Sequence, residues 1–312
     1  MTESGVSPDD PLLAFDRVTK WYGHVAALTD VSFRVGREIV GLVGRNGVGK
    51  STLMKLSAGL LRPSQGNVRV CGLAASSAGA RRVVGFSPDV ERLFEELTAV
   101  EFVAWMLRLH GWSMRAARDR SREALSDLGL APNMERRVRE FSKGMRQRVR
   151  LAQALAHLPR LVLLDEPMTG LDPVVRGEFA DTIRALPGRG VGVLVSSHVL
   201  PELESFVDRV VLVHQGRLLA EGRVADLRER VPSRPHRIRL RSSTPRDLAA
   251  RVVTWSQVRG VDVRGDTVDV DVVAEPGFYE ALTELGFAWP GAIHEIVPLD
   301  DDLASVFGYL VR

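Results

Sequence analysis

From Gly44 to Ser51 the chain reads Gly-Arg-Asn-Gly-Val-Gly-Lys-Ser, three glycines closed by a lysine and a hydroxyl. This is the complete P-loop pattern, and its chemistry is the holding of phosphate. Glycine lets the backbone wrap closely round an anion, so that the N–H groups of Gly44, Asn46, Gly47, Val48 and Gly49 can point inward. A helix beginning near Lys50 would aim its positive end at the same anion. Lys50 would reach the β- and γ-phosphates and Ser51 would ligate Mg²⁺, with Thr52 next in the cradle. A second element, Leu161-Val-Leu-Leu-Asp165-Glu166-Pro, ends an apolar run on two carboxylates. Asp165 suits the Mg²⁺ shell, and Glu166 suits the orientation or activation of a water beside the γ-phosphate. Taken singly, a glycine turn joins strand to helix and adjacent acids are solvated turn residues. Their joint occurrence favours phosphate chemistry.

Such groups must be carried by strands. Ile39–Val43, Leu161–Leu164 and Val191–Val195 are apolar on both faces, the mark of parallel strands covered by helices on two sides. Glycine-, serine- or histidine-bearing turns follow the first and third, and acids follow the second. Ligands of open parallel sheets bind beyond such carboxyl ends. Leu12–Val18 and Val31–Val35 read as strands flanking a turn at Trp21-Tyr22-Gly23. Between the runs, Thr98–His110, Ser113–Leu128 and Ser142–His157 read as capped amphipathic helices stopped by Gly111, Gly129 and Pro159. Val231-Pro-Ser-Arg-Pro-His236 reads as a linker. Beyond it Arg237–Arg241, Val261–Val263 and Val268–Val272 alternate, with a hairpin turn at Gly265-Asp266 and helical patterns over Arg246–Trp255 and Phe278–Leu285. The expectation is an α/β domain over 1–230, a linker over 231–236 and a small α+β domain over 237–312, acidic where the first is basic.

The 312 residues carry 26% charged and 45% hydrophobic side chains, ordinary for a soluble globular protein. The net charge is only +3, and the pI of about 9.3 reflects an arginine bias that says little about nucleic acid. Cys71 is the single cysteine, which excludes an intrachain disulfide and fits a reducing compartment. Met1–Pro11 lacks the order of a signal peptide, and no apolar run approaches the ~18 residues of a membrane span. A cytoplasmic protein is expected, with any membrane role exercised through a partner.

Phe141-Ser-Lys-Gly-Met-Arg-Gln-Arg148 stands shortly before the Asp165 strand. It is similar to the Leu-Ser-Gly-Gly-Gln signature, followed by Arg-Gln-Arg, of ABC ATPases. Ser142 and Gly144 match; Lys143 and Met145 depart, in a form that resembles the bacterial branch of ABC-2, multidrug and sodium exporters. Ser142 also reads as a helix cap, hence a second anion-binding helix end. Residues 11–230 thus resemble the nucleotide-binding domain of ABC transporters. The resemblance implies a P-loop NTPase fold, a RecA-like core with a β-subdomain and a helical subdomain near 90–158. It implies ATP and Mg²⁺ as ligands, with Lys50, Glu166 and His198 as catalytic residues. His198 in Ser196-Ser-His-Val matches the switch histidine, and Thr169-Gly-Leu-Asp172 matches the loop that crosses to a second subunit. Tyr22 matches the adenine-stacking aromatic; Trp21 is its rival, and either suits a core position. Asp89 stands where the family has glutamine, as a third metal-side oxygen, and leaves the wiring of that loop open.

The partners implied are a second copy or a related ATPase subunit, head to tail, and integral membrane permease subunits on the inner face of the cell membrane. No nucleic acid is expected. Two other readings stay open: a soluble ABC ATPase acting on ribosomes or nucleic acid, and a regulatory ATP-binding subunit. The tail weakly resembles the accessory domain of the same branch, with Asp300–Phe307 as its closing helix, either buttressing a dimer or regulating it.

Overall fold

In the computed structural model, which describes residues 10–89, 93–198, 200–223, 226–227, 236–273, 277–289 and 291–299, the runs without a polar face become the inner strands of a parallel sheet. The chain divides into two units, Met1–Val224 and Ala225–Arg312.

In the first unit, β1 (Leu13–Tyr22) and β2 (Val25–Val35) pair antiparallel, and β3 (Ile39–Val43) leads through the glycine loop into α1 (Lys50–Ser57). Then come β4 (Gln65–Val70), β5 (Leu73–Ala74), α2 (Ala78–Arg82) and β6 (Val84–Ser87). A helical stretch follows, α3 (Ala99–Leu109), α4 (Met114–Asp127) and α5 (Lys143–Leu155). The chain closes this unit with β7 (Leu161–Asp165), α6 (Pro173–Arg184), β8 (Gly192–Ser197), α7 (Leu200–Glu204), β9 (Arg209–His214) and β10 (Arg217–Gly222).

The large sheet has the order β10-β9-β3-β8-β7-β6. Its neighbours are parallel except β10, which returns antiparallel on β9. Every residue of β3, β7 and β8 is buried, which is why these strands carry no polar face. The order β3-β8-β7 brings three carboxyl ends side by side: Val43 pairs with Ser197, and Asp165 with Ser196. A smaller antiparallel sheet, β2-β1-β4-β5, faces the same core. That core takes Leu53, Met54 and Leu56 from α1, Phe15 and Phe33 from the small sheet, and Leu42, Leu163 and Leu194 from the large one. Each such side chain contributes roughly 1.5–3 kcal/mol on burial. Together they hold the amino end of α1 at the mouth of β3.

Local chemistry explains the helical stretch. Thr98 and Glu101 form a reciprocal capping box at α3, and Ser113 caps α4 through the N–H of Ala116. One expected turn is corrected. Trp21 and Tyr22 belong to β1, and Gly23 (φ 58) and His24 make the reversal. Aromatic residues favour strands, and only glycine takes that φ without strain. Helix α5 stops at Leu155, short of His157, because Leu158 turns to φ 59 and Pro159 follows.

The second unit runs β11 (His236–Arg241), α8 (Pro245–Val252), β12 (Val258–Arg264), β13 (Thr267–Val272), α9 (Gly277–Ala288) and β14 (Glu295–Pro298). Its sheet, β12-β13-β11-β14, is antiparallel throughout, the βαββαβ arrangement. Alternation decides its faces: Ile238, Leu240, Val268, Val270 and Val272 pack against Leu248, Val252, Phe278 and Leu282 of the helices. The hairpin turn at Gly265-Asp266 is as expected. Helix α9 runs three residues past the expected Leu285, and α8 ends three before Trp255. His236, expected in the linker, already opens β11; residues 231–235 and the stretch Asp300–Phe307 lie outside the described residues. Among the described residues no helix is long and apolar enough to cross a membrane.

Candidate functional site

The glycine loop is shaped by positions where a side chain would not fit. A Cβ on Gly44 would lie 2.4 Å from the Val213 carbonyl oxygen. On Gly49, which has φ 111, it would meet Leu28 at 2.7 Å and the Ala27 carbonyl at 2.8 Å. Gly47 has room but needs φ 81. These constraints leave a backbone cradle whose Asn46 and Gly47 are exposed and whose Val48 is half-buried. It opens directly into α1, with Ser51 exposed and Thr52 half-buried on the first turn.

Lys50 is only 6% exposed. Its ammonium donates to the carbonyl of Gly44 at 2.6 Å and to that of Arg45 at 3.3 Å, so the loop itself holds the lysine. It also stands 3.4 Å from Glu166 Oε1, an oxygen that is buried without a hydrogen bond among the described residues. Glu166 reaches this place because its backbone turns to φ 49 just past β7, a left-handed conformation uncommon for a residue with a side chain. Its other oxygen, Oε2, faces His198 Nδ1 at 2.8 Å and accepts from the hydroxyl of Thr169 at 3.4 Å. Lys50, Glu166 and His198 thus form one continuous polar group across three strand ends.

Asp165 is 4% exposed. Burial pushes its carboxyl above the ordinary carboxylate range. Hydrogen bonds from Ser196 and Ser51 oppose that shift, and the charges of Asp89 and Glu166 add to it. Ser51 and Asp165, expected together, are therefore in contact. Asp89 follows β6, the strand beside β7, and its field reaches Asp165. No ready-made group of three metal-binding side chains occurs among the described residues. The residues present still fit a phosphate-bound Mg²⁺: a hydroxyl and a carboxylate converge at the cradle, and such ions take much of their shell from water and phosphate.

Ser196 escaped the sequence reading. Its hydroxyl donates to Asp165 at 2.6 Å and accepts from the Glu166 N–H at 3.0 Å, so one side chain sets both acids. Gln147 escaped as well. Its amide donates to the Pro167 carbonyl and accepts from Arg150, which ties α5 to the segment after Glu166. Gln147 stands in the Arg-Gln-Arg stretch after the signature, but the contacts of both residues depend on which strand or helix lies alongside.

Ser142 caps α5 through the Met145 N–H at 3.3 Å, and Asp172 caps α6 through the Val175 N–H at 3.0 Å. A Cβ on Gly144 would come within 2.9 Å of Val175, and the Lys143 amine overlies Gly170. The two caps therefore belong to one packed patch, with both side chains exposed. Tyr22 and Trp21 are 47% and 41% exposed, so neither is a core residue. Trp21 lines a groove with Asp16, Thr29 and Asp30, whereas the Tyr22 ring lies under the Lys20 amine at 5.4 Å.

Comparison with known proteins agrees with this geometry. A family described as ABC transporter matches residues 28–169. The uncharacterised ABC transporter ATP-binding protein YxlF of Bacillus subtilis is 36% identical over 219 residues, 70% of this chain and 73% of that one. The daunorubicin/doxorubicin resistance ATP-binding protein DrrA of Streptomyces peucetius is 34% identical over 253 residues, 80% of this chain and 76% of its own. A solved structure, the ATP-binding subunit of an ABC transporter, superposes with a TM-score of 0.63 at 32% identity, covering 70% of this chain and 92% of that chain.

Proposed function

Because this chain belongs to the ABC transporter family as an ATP-binding subunit, we propose that it hydrolyses ATP and powers export by closing head to tail on a second ATPase subunit over MgATP. The second subunit is another copy or a related chain, and separate membrane permeases carry the transported substance. The observation that carries the reading is the meeting of Lys50, Glu166 and His198 beside a glycine cradle.

In this reading the loop from Gly44 to Thr52 binds the phosphates and Tyr22 stacks on adenine. Ser51 and Asp165, with Asp89 as a further oxygen, hold Mg²⁺, which supplies charge neutralisation at the phosphoryl group. Glu166 orients the attacking water and accepts its proton, and His198 positions Glu166 and contacts the γ-phosphate. Before nucleotide arrives, the Lys50 ammonium neutralises Glu166. A phosphate at the loop competes for that ammonium and leaves the carboxylate to the water. Ser142, Gly144 and Asp172 serve the nucleotide of the opposite subunit, which the exposure of Ser142 and Asp172 on one patch, with Gly144 packed beside them, supports.

Docking of the permease is supported by the helical stretch, where Phe94, Trp105 and Leu109 are exposed. Such a partner places the chain on the cytoplasmic face of the membrane. The relative named for drug resistance supports export. The reading as an ATPase of ribosomes or nucleic acid gains nothing from the second unit, where Arg237, Arg239 and Arg241 are each held by a carboxylate.

Glu166→Gln tests the proposal. Phosphate release should fall about 10²–10⁴-fold while ATP binding persists, and light scattering should detect a dimer at saturating MgATP. Undiminished turnover would remove Glu166 from its role, and a protein that stays monomeric would remove the head-to-tail closure.

A further inference from the structure

A cavity of about 620 Å³ opens at the amino ends of β3, β7 and β8, between the ends of α4 and α5 and the loop after α6. The nucleotide site occupies the opposite ends of the same strands. Each is about five residues long, so roughly 16 Å of strand separates the two places. The volume lies within the range of small-molecule sites, about 300–1,000 Å³.

Its walls and its charges differ in kind. Leu128, Leu155 and Leu186 supply apolar surface, and Arg37, Arg120, Arg160 and Arg189 bring four guanidinium groups against one carboxylate, Asp127. Arg120 is partly engaged, donating to the Ala156 carbonyl at 3.0 Å and pairing with Glu123. The side chains of Arg160 and Arg189 make no hydrogen bond or ion pair among the described residues. Asp127 pairs with none of the four there. Arg160 and Arg37 also act together on the Cys71 thiol: burial pushes it up, and both cations favour its anion. Positive charge thus lines an apolar hollow, and among the described residues the Arg160 and Arg189 side chains have no hydrogen bond or ion pair. Guanidinium matches the planar oxygens of carboxylate and the oxygens of phosphate or sulfonate through paired N–H donors.

We propose that this cavity binds an organic anion with an apolar body, its acidic head on Arg160 and Arg189 and its hydrocarbon against Leu128, Leu155 and Leu186. The site is separate from the nucleotide cradle and independent of how that cradle works.

The test is a fluorescence titration of the full chain with 8-anilinonaphthalene-1-sulfonate, with saturating ATP present throughout. Saturable binding is expected. Decanoate or decyl phosphate should compete, and the better of the two identifies the head group; decanol and inorganic phosphate should not. Arg160→Glu should weaken binding tenfold or more. Ala185→Trp keeps every arginine but fills the hollow, and should weaken it similarly, which guards against misfolding of the charge-reversed variant. Equal affinity for the wild type and both variants would overturn the proposal. So would the absence of saturable binding, or competition by decanol as strong as by decanoate.

Discussion

Opposite charges meet in both units of this chain, under different conditions of solvent. In the first unit Lys50 and Glu166 pair with side chains 6% and 11% exposed, beside a buried Asp165. In the second, Arg237 grips Asp271 and Arg239 grips Asp269 through paired N–H donors across β11 and β13, with arginines 50% and 40% exposed. The ladder aligns two strands and keeps each arginine in solvent, although Asp269 is itself only 6% exposed. The cradle pair holds charge out of water, where only a ligand can redistribute it. Burial, more than the number of ion pairs, separates a site that can do chemistry from a surface that guides folding.

The largest test of that contrast is Lys50→Met. Removing one member of a buried pair leaves Glu166 uncompensated, so unfolding of the nucleotide-free protein should become easier by about 3–5 kcal/mol. Calorimetry and ATP titration should report lost stability and lost binding together. A variant as stable as the parent would show that the pair is hydrated in solution and would erase the comparison.

Acid should separate the units next. His157 stacks on His110 at 4.1 Å, and its ring N–H donates to the Val84 carbonyl. Burial first, then the neighbouring imidazole, lowers its pKa to about 4. The unfolded chain takes this proton near 6.5 and the folded chain does not. Stability is therefore complete above 6.5 and declines as pH falls towards 4, by on the order of 2 kcal/mol. Asp269 behaves otherwise: the hydrogen bond from Arg239 holds its carboxyl below the ordinary value, so its contribution persists until pH drops beneath the usual carboxylate range. Melting between pH 6.5 and 4 should show the first unit weakening while the second holds, and His157→Gln should flatten that loss.

The smallest expected effect is Arg237→Ala, which opens an exposed rung and should cost about 1 kcal/mol or less, shrinking further in high salt. A loss as large as that from Lys50→Met would put the ladder in the same class as the cradle.

The sequence alone determined whatever is local. The glycine spacing of 44–51, the unbroken apolar runs of β3, β7 and β8 and the hydroxyl caps at Thr98, Ser113 and Ser142 act within a few residues of themselves. Strands with weaker local signals were not legible: β6 has four residues, β4 opens Gln-Gly-Asn, and β10 lacks an alternating pattern. Only the tertiary structure decided that Ser196 bridges Asp165 and Glu166, 31 and 30 positions away, or that Lys50 meets Glu166. The reason is register. Parallel neighbours are joined by long crossovers, so which residue faces which depends on the packing of the whole sheet and its helices, a quantity no short window of sequence contains.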